Sequence, residues 1–268
     1  MARKSLLSLL GLVWASTASA DWVFNMPEGI TKLSKETYDL HMMVFWVCVA
    51  IGIVVFGIMI ISLLRHRKSR GATAATFTHS TAAEILWTAI PCVILLFMAV
   101  PAAETLIRLD DARDPQLSIV ITGYQWRWHY QYQDEGVGFY SSLAPASAEA
   151  RMKDSGIDPF SVDHYLLDVD HPLVVPKDRK IRVLITSNDV IHSWWVPQLA
   201  IKKDAIPGRI NEVWFRAAET GTFRGQCAEL CGRGHAYMPI VVKVLEPEQF
   251  DAWLADQKAQ TAQAAAAQ

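Results

Sequence analysis

Hydrophobic positions fall into two regimes along this chain. Up to about residue 110 they form long uninterrupted runs, and beyond it short bursts separated by Pro, Gly, Asp and Asn. Met42 to Leu64 contains no charged residue. As a helix rising ~1.5 Å per residue it is about 35 Å long, enough to cross the hydrocarbon core of a bilayer with some tilt. Ile85 to Ala103 is a second uncharged run, interrupted by Pro91 and Pro101. Membrane helices tolerate proline because neighbours satisfy the freed carbonyls. Neither run has a polar face, which argues against a buried hairpin in a soluble protein. The pattern predicts transmembrane helices over 41–64 and 84–107, joined by a loop over 65–83.

From Leu117 the apolar residues mix with β-branched and aromatic ones over short stretches. Leu117 to Tyr132, His164 to Val169, Lys180 to Thr186, Ile210 to Arg216 and Met238 to Leu245 are predicted strands. With no long amphipathic helix among them, they predict an all-β sandwich or barrel over 117–246. Ala144 to Pro159, rich in Pro, Ser and Gly, is expected to be a surface excursion. Residues 247–268 read as a short helix from Pro247 to Gln257, followed by a disordered Ala/Gln-rich tail.

Charge gives the hairpin an orientation. Arg65, Arg67, Lys68 and Arg70 follow the first span directly, which marks that loop as cytoplasmic. The first twenty residues agree. Arg3 and Lys4 precede an apolar stretch from Leu6 to Trp14, and Ala18-Ser19-Ala20 offers a small-residue cleavage site. Residues 1–20 are therefore expected to be an export signal, 21–40 an outer segment, and the β-domain periplasmic in a bacterial inner membrane. A formal net charge of -2 over 268 residues leaves no basic footprint for nucleic acid. Glu84 opens the second span on the cytoplasmic side, where an acid either solvates a helix start or marks an ion route.

Candidate chemistry concentrates in one loop. Of the four cysteines, Cys48 and Cys92 lie inside the apolar runs, where a thiol serves as a small hydrophobe. Cys227 and Cys231 stand in Gln226-Cys-Ala-Glu-Leu-Cys-Gly-Arg-Gly-His-Ala-Tyr-Met238, with His235 and Met238 beside them. His192 lies 35 residues before Cys227. Thiolate, imidazole and thioether together form the donor set of copper proteins, with methionine as the weak axial ligand. A second cysteine four residues after the first lets both sulfurs bridge two metal ions, which suits an electron relay. A disulfide would leave the histidines and Met238 unexplained. A Cys2His2 zinc site would leave only the methionine so. His192 taken alone could be a core histidine.

With these residues in view, the chain resembles subunit II of bacterial aa3-type haem-copper cytochrome c oxidases. Gly123-Tyr-Gln-Trp-Arg-Trp128, Val190-Ile-His-Ser-Trp194, Lys203-Asp-Ala-Ile-Pro-Gly-Arg209 and the cysteine loop carry the resemblance. It implies a membrane hairpin followed by a Greek-key cupredoxin domain with a dinuclear CuA centre. Cys227 and Cys231 would bridge two coppers, His192 and His235 would each terminate one, and Met238 and the Glu229 carbonyl would be axial. The Glu229 side chain would help hold a magnesium ion shared with subunit I. Trp126 would receive electrons from a c-type cytochrome, exposed above the copper, and pass them on towards haem a, where oxygen is reduced to water. One of Trp126 and Trp128 is expected to be strand packing. Asp134, Asp170 and Asp189 fall in the segments that dock the cytochrome, and Glu84 matches the mouth of a proton-uptake path. Two positions depart from the pattern. Gln131 replaces a customary glutamate, and Arg127 places a cation beside Trp126.

Other classes fit less of the chain. A quinol oxidase subunit II would have lost the copper ligands, and a nitrous oxide reductase would lack the hairpin. A periplasmic copper-delivery module would need neither two spans nor Trp126. There is no Cys-x-x-Cys-His for a fused haem, so the resemblance calls for an external donor.

Overall fold

The computed structural model describes residues 25–266, so the expected export signal over 1–20 lies outside the described residues. Two long helices come first: α1 over Lys32–Arg65 and α2 over Thr81–Asp110. Both exceed the predicted spans because polar turns extend them. Thr31 and Ser34 form a reciprocal capping box that starts α1 ahead of its apolar run. Ser80 caps α2 through the Ala83 amide, and Pro91 and Pro101 both lie within that helix. The apolar stretches expose large side chains along their length, Ile53, Phe56, Leu96 and Phe97 among them. Nothing in the β-domain covers them, as expected of surface that faces lipid rather than water.

The β-domain is two five-stranded sheets. In order along each sheet, the first runs β3 (Val137–Ser141), β2 (Arg127–Tyr132), β1 (Leu117–Tyr124), β5 (Ile181–Ser187), β8 (Asn211–Phe215). The second runs β4 (Leu173–Pro176), β10 (Pro239–Leu245), β9 (Gly221–Cys227), β6 (His192–Val196), β7 (Ile201–Ala205). The β1–β5 and β4–β10 pairs are parallel and the remaining pairs antiparallel. The chain repeatedly crosses from sheet to sheet, the Greek-key connectivity of a cupredoxin-like sandwich. Alternate residues of the strands point between the sheets. Ile119, Ile121, Trp128, Tyr130, Val183 and Ile185 thereby meet Trp194, Val196, Ile240 and Val242 in one core.

Three sequence expectations need correction. Leu117 to Tyr132 is two strands, not one, because Gln125 and Trp126 turn the chain between β1 and β2. His164 to Val169 is not a strand. His164 and Leu166 take positive φ values of 52° and 60°, which breaks any ladder, and only Val169 bridges, to Leu143. The C-terminal helix α4 runs over Pro247–Ala266, nine residues beyond Gln257 (266 − 257 = 9). Alanine and glutamine are good helix formers, and no Gly or Pro interrupts them. Within the expected excursion lies a short helix, α3, over Pro145–Ala150.

Helices and domain are joined at one end of the sandwich. The Lys180 ammonium donates to the carbonyls of Asp111 (2.8 Å) and Arg113 (2.7 Å), just past the end of α2. Trp214 Nε1 donates to Arg108 O at 3.0 Å. Before α1, Ile30 O accepts from Ala218 N at 2.9 Å, and Ile30 N donates to Gln198 O, also at 2.9 Å. The Trp214 bond satisfies one of the terminal carbonyls that a helix leaves open.

Candidate metal centre

The opposite end of the sandwich gathers the candidate ligands. Strands β9 and β10 form a hairpin in which Pro239 faces Gln226, so their connection, Ala228 to Met238, projects from this end. Strand β6 pairs with β9, Trp194 opposite Cys227, which brings His192 at the head of β6 under the same loop. The imidazole fits because residue 123 is glycine. A Cβ there would lie 2.8 Å from His192 Cδ2. Trp128, fully buried in β2, donates from Nε1 to Met238 O at 3.2 Å and pins the far end of the loop. Of the two tryptophans, Trp128 is therefore the packing residue.

Five donor side chains converge. Cys227 Sγ and Cys231 Sγ are 3.9 Å apart. That is far beyond a disulfide bond of about 2.05 Å. It is within the ~4.6 Å at which two sulfurs can share one ion with bonds of about 2.3 Å. His192 Nδ1 stands 4.0 Å from Cys227 Sγ, and His235 Nδ1 3.5 Å from Cys231 Sγ, so each thiol has its own imidazole. Met238 Sδ is 3.5 Å from Cys231 Sγ, and Glu229 O is 3.3 Å from Cys227 Sγ. His192, Cys227, Cys231 and Met238 are all at most 4% exposed, whereas His235 is half-buried at the rim. This soft, dry donor set fits a copper pair. The thioether has no part to play in a zinc site.

The surroundings favour charge on the Cys227–His192 pair and oppose it on Cys231. Burial pushes the Cys227 thiol up, but hydrogen bonds with His192 and with the Ser193 and Glu229 backbone hold it down to about 7. Burial and the neighbouring Cys227 charge push Cys231 up to about 12. His192 is lowered by burial, yet its bonds to Cys227 and Asp189 outweigh that and raise it. Asp189 Oδ1 lies 2.8 Å from His192 Nε2, an outer-shell carboxylate that aims Nδ1 at the sulfurs. Ser187 Oγ and the Val190 and Gln125 amides also donate to Asp189. Asp189→Asn should therefore lower metal affinity roughly 10–100-fold while leaving the fold intact, measured by competition with a copper chelator. Unchanged affinity would show that the carboxylate does not position His192.

Trp126 is half-buried instead of standing exposed above the site. Its Nε1 donates to Cys231 O at 3.1 Å, and Gln125 Nε2 donates to the same oxygen at 2.9 Å. The indole lies flat on the loop where glycine leaves room. A Cβ on Gly234 would be 2.2 Å from Trp126 Cδ2.

The remaining candidates are scattered. Asp170 accepts the Ser142 and His171 amides, each at 2.7 Å, beside the end of β3 that faces the site. Asp134 sits in the β2–β3 turn at the opposite end of the sandwich, away from the cysteine loop. Glu84 is exposed in the first turn of α2, at the end of the hairpin away from the β-domain. The Glu229 side chain is exposed. Sequence reasoning missed Gln125 and the pairing of Asp189 with His192. The Asp-x-x-His spacing was the available signal for the second; nothing marked the first.

Fold and site together define a membrane-anchored cupredoxin-like domain with a candidate thiolate–imidazole–thioether metal site. Residues 117–245 match the family described as cytochrome C oxidase subunit II, periplasmic domain, and residues 19–105 match its transmembrane domain. A probable cytochrome c oxidase subunit 2 of Rickettsia bellii is 35% identical, over 94% of this chain and 92% of the relative. Cytochrome c oxidase subunit 2 of Cereibacter sphaeroides is 37% identical, over 84% of this chain and 77% of the relative. The crystallised periplasmic domain of oxidase subunit II from Bradyrhizobium japonicum is 41% identical, covering 56% of this chain and 98% of that one, with a TM-score of 0.47. The chain belongs to the cytochrome c oxidase subunit II family, and so to a membrane-bound oxidase complex.

Proposed function

We propose that this subunit receives single electrons from a c-type cytochrome at a dinuclear copper centre and hands them to haem a of subunit I, for reduction of oxygen to water. The observation that carries this reading is the convergence of two thiols, two imidazoles and a thioether under Trp126. Cys227 and Cys231 would bridge the coppers, His192 and His235 would terminate one each, and Met238 and Glu229 O would be the weak ligands. Bound there, the copper pair supplies a one-electron couple shared over two ions.

The chain's own residues do the rest. The two sheets keep the donors dry and fixed, so little reorganisation accompanies a change of charge. Asp189 orients His192, and Trp128 holds Met238 in place. Trp126 offers an aromatic surface joined by one hydrogen bond to the backbone of a bridging cysteine, a short way in from the surface. In the same loop, the exposed Glu229 carboxylate suits a magnesium ion shared with subunit I. The charge of the 65–70 loop supports a periplasmic β-domain in an inner membrane. Glu84 then lies at the cytoplasmic face, where a proton-uptake role is open to it. Asp170 and Asp189 lie at the end where a cytochrome would dock, and Asp134 does not.

The order of electron arrival tests this reading. When the assembled oxidase is mixed rapidly with a reduced c-type cytochrome, the copper absorbance should bleach before haem a is reduced. Reduction of haem a ahead of copper would contradict it.

A further inference from the structure

The cysteine loop is tied to the rest of the domain at few points. Its start is held where Ala228 N donates to Ser193 O at 3.0 Å, and its end where Trp128 Nε1 donates to Met238 O at 3.2 Å. In between, His235 N and Tyr237 N donate to Gly232 O and Gly234 O, within the loop itself. Apart from contacts of the donor sulfurs, the hydrogen bonds that reach its middle from outside, among the described residues, both end on Cys231 O. They come from Gln125 Nε2 at 2.9 Å and Trp126 Nε1 at 3.1 Å.

Gln125 also reaches the other half of the site. Its backbone N donates to Asp189 Oδ2 at 2.7 Å, and Asp189 Oδ1 lies 2.8 Å from His192 Nε2. A continuous line of bonds therefore runs from His192 through Asp189 and Gln125 to the Cys231 backbone, independent of the sulfurs. Its base is braced, because Ser187 Oγ and Asn188 N both donate to Gly123 O, two residues before Gln125. The loop also lies close against it. A Cβ on Gly232 would be 3.3 Å from both Gln125 Nε2 and Trp126 Cζ2.

Resting on the two-copper reading of the site, we propose that Gln125 is the positioning residue that fixes Cys231 relative to His192 and so keeps the two copper positions alike. Cys231 Sγ is 3.5 Å from His235 Nδ1 and Met238 Sδ but 3.9 Å from Cys227 Sγ. A shift of this one residue therefore alters the two positions unequally. An electron is shared evenly over two ions only while their surroundings match. Partners outside the ligand set hold the ligands in the orientation that such a match needs.

Amide hydrogen exchange and electron paramagnetic resonance test this on the full chain. Without metal, Gln125→Leu keeps the bulk of the side chain but cannot donate. It should speed exchange of the amides from Gly232 to Gly234 roughly 3–10-fold, the worth of one hydrogen bond. Loaded with copper, the variant should still hold two ions. At half reduction of the pair its resonance signal should show two unequal copper couplings where the wild type shows equal ones. Gln125→Asn, which keeps the amide but is one methylene too short to reach Cys231 O, should behave in the same way. Equal couplings in both variants would overturn the proposal, as would exchange at the wild-type rate. A wild-type signal from one copper nucleus would instead defeat the two-copper reading, while the exchange rates would still decide whether Gln125 holds the loop.

Discussion

Cys231→Ser is expected to abolish the two-copper centre while leaving the domain folded. The side chain is buried, 3.9 Å from Cys227 Sγ and 3.5 Å from both His235 Nδ1 and Met238 Sδ, so it touches most of the donor set. Serine fills nearly the same space, but its hydroxyl neither ionises readily nor offers a soft ligand. The loop keeps its anchors, since Gln125 and Trp126 bond to the backbone carbonyl of residue 231 and Trp128 to that of Met238. Copper content should fall from two per chain to one or none. The loss of affinity should exceed the roughly 10–100-fold typical of removing an outer-shell partner. Circular dichroism should show the β-domain intact. Two coppers per chain in the variant would show that Cys231 does not bridge.

Trp126→Phe is expected to separate copper binding from electron delivery. Phenylalanine keeps a ring on Gly232 and Gly234 but loses the hydrogen bond to Cys231 O. Copper content should hold, and reduction by a cytochrome should slow on the order of 100-fold, since a small misplacement at a reacting contact has effects of that size. Gly234→Ala reaches the same point from the other side. Its Cβ, 2.2 Å from Trp126 Cδ2, cannot coexist with the present indole position. It should slow reduction similarly without removing a ligand. Unchanged rates in both variants would place the way in elsewhere on the surface.

The candidate ligands, which the structure brings together, were legible in the sequence because they are chemically scarce. Cysteine, histidine and methionine cluster within thirteen positions from Gln226 to Met238, and only His192 had to come from elsewhere. The spans were equally plain, since uninterrupted apolar runs have few other uses. What surrounds the ligands was less so. Asp189 was grouped with Asp134 and Asp170 as a surface acid, because residue type alone does not distinguish a carboxylate that aims an imidazole from one that solvates a turn. The strands β3, β4, β6, β7 and β9 escaped notice because they rely on partners in the sheet, not on their own alternation. Polar or small residues such as Lys202, Asp204 and Gly225 sit within them. Between the excursion and β4 the opposite error occurred, where strand-like composition over His164 to Val169 met backbone angles that forbid a ladder. The alanine tail was read from its low complexity, and its helix propensity prevailed.

Sharing one electron between two coppers is the central claim, and electron paramagnetic resonance of the copper-loaded chain tests it most directly. The account predicts two coppers per chain and, at half reduction of the pair, a signal whose unpaired electron couples equally to both copper nuclei. A signal from a single copper nucleus, or a chain that binds one metal ion only, would contradict it.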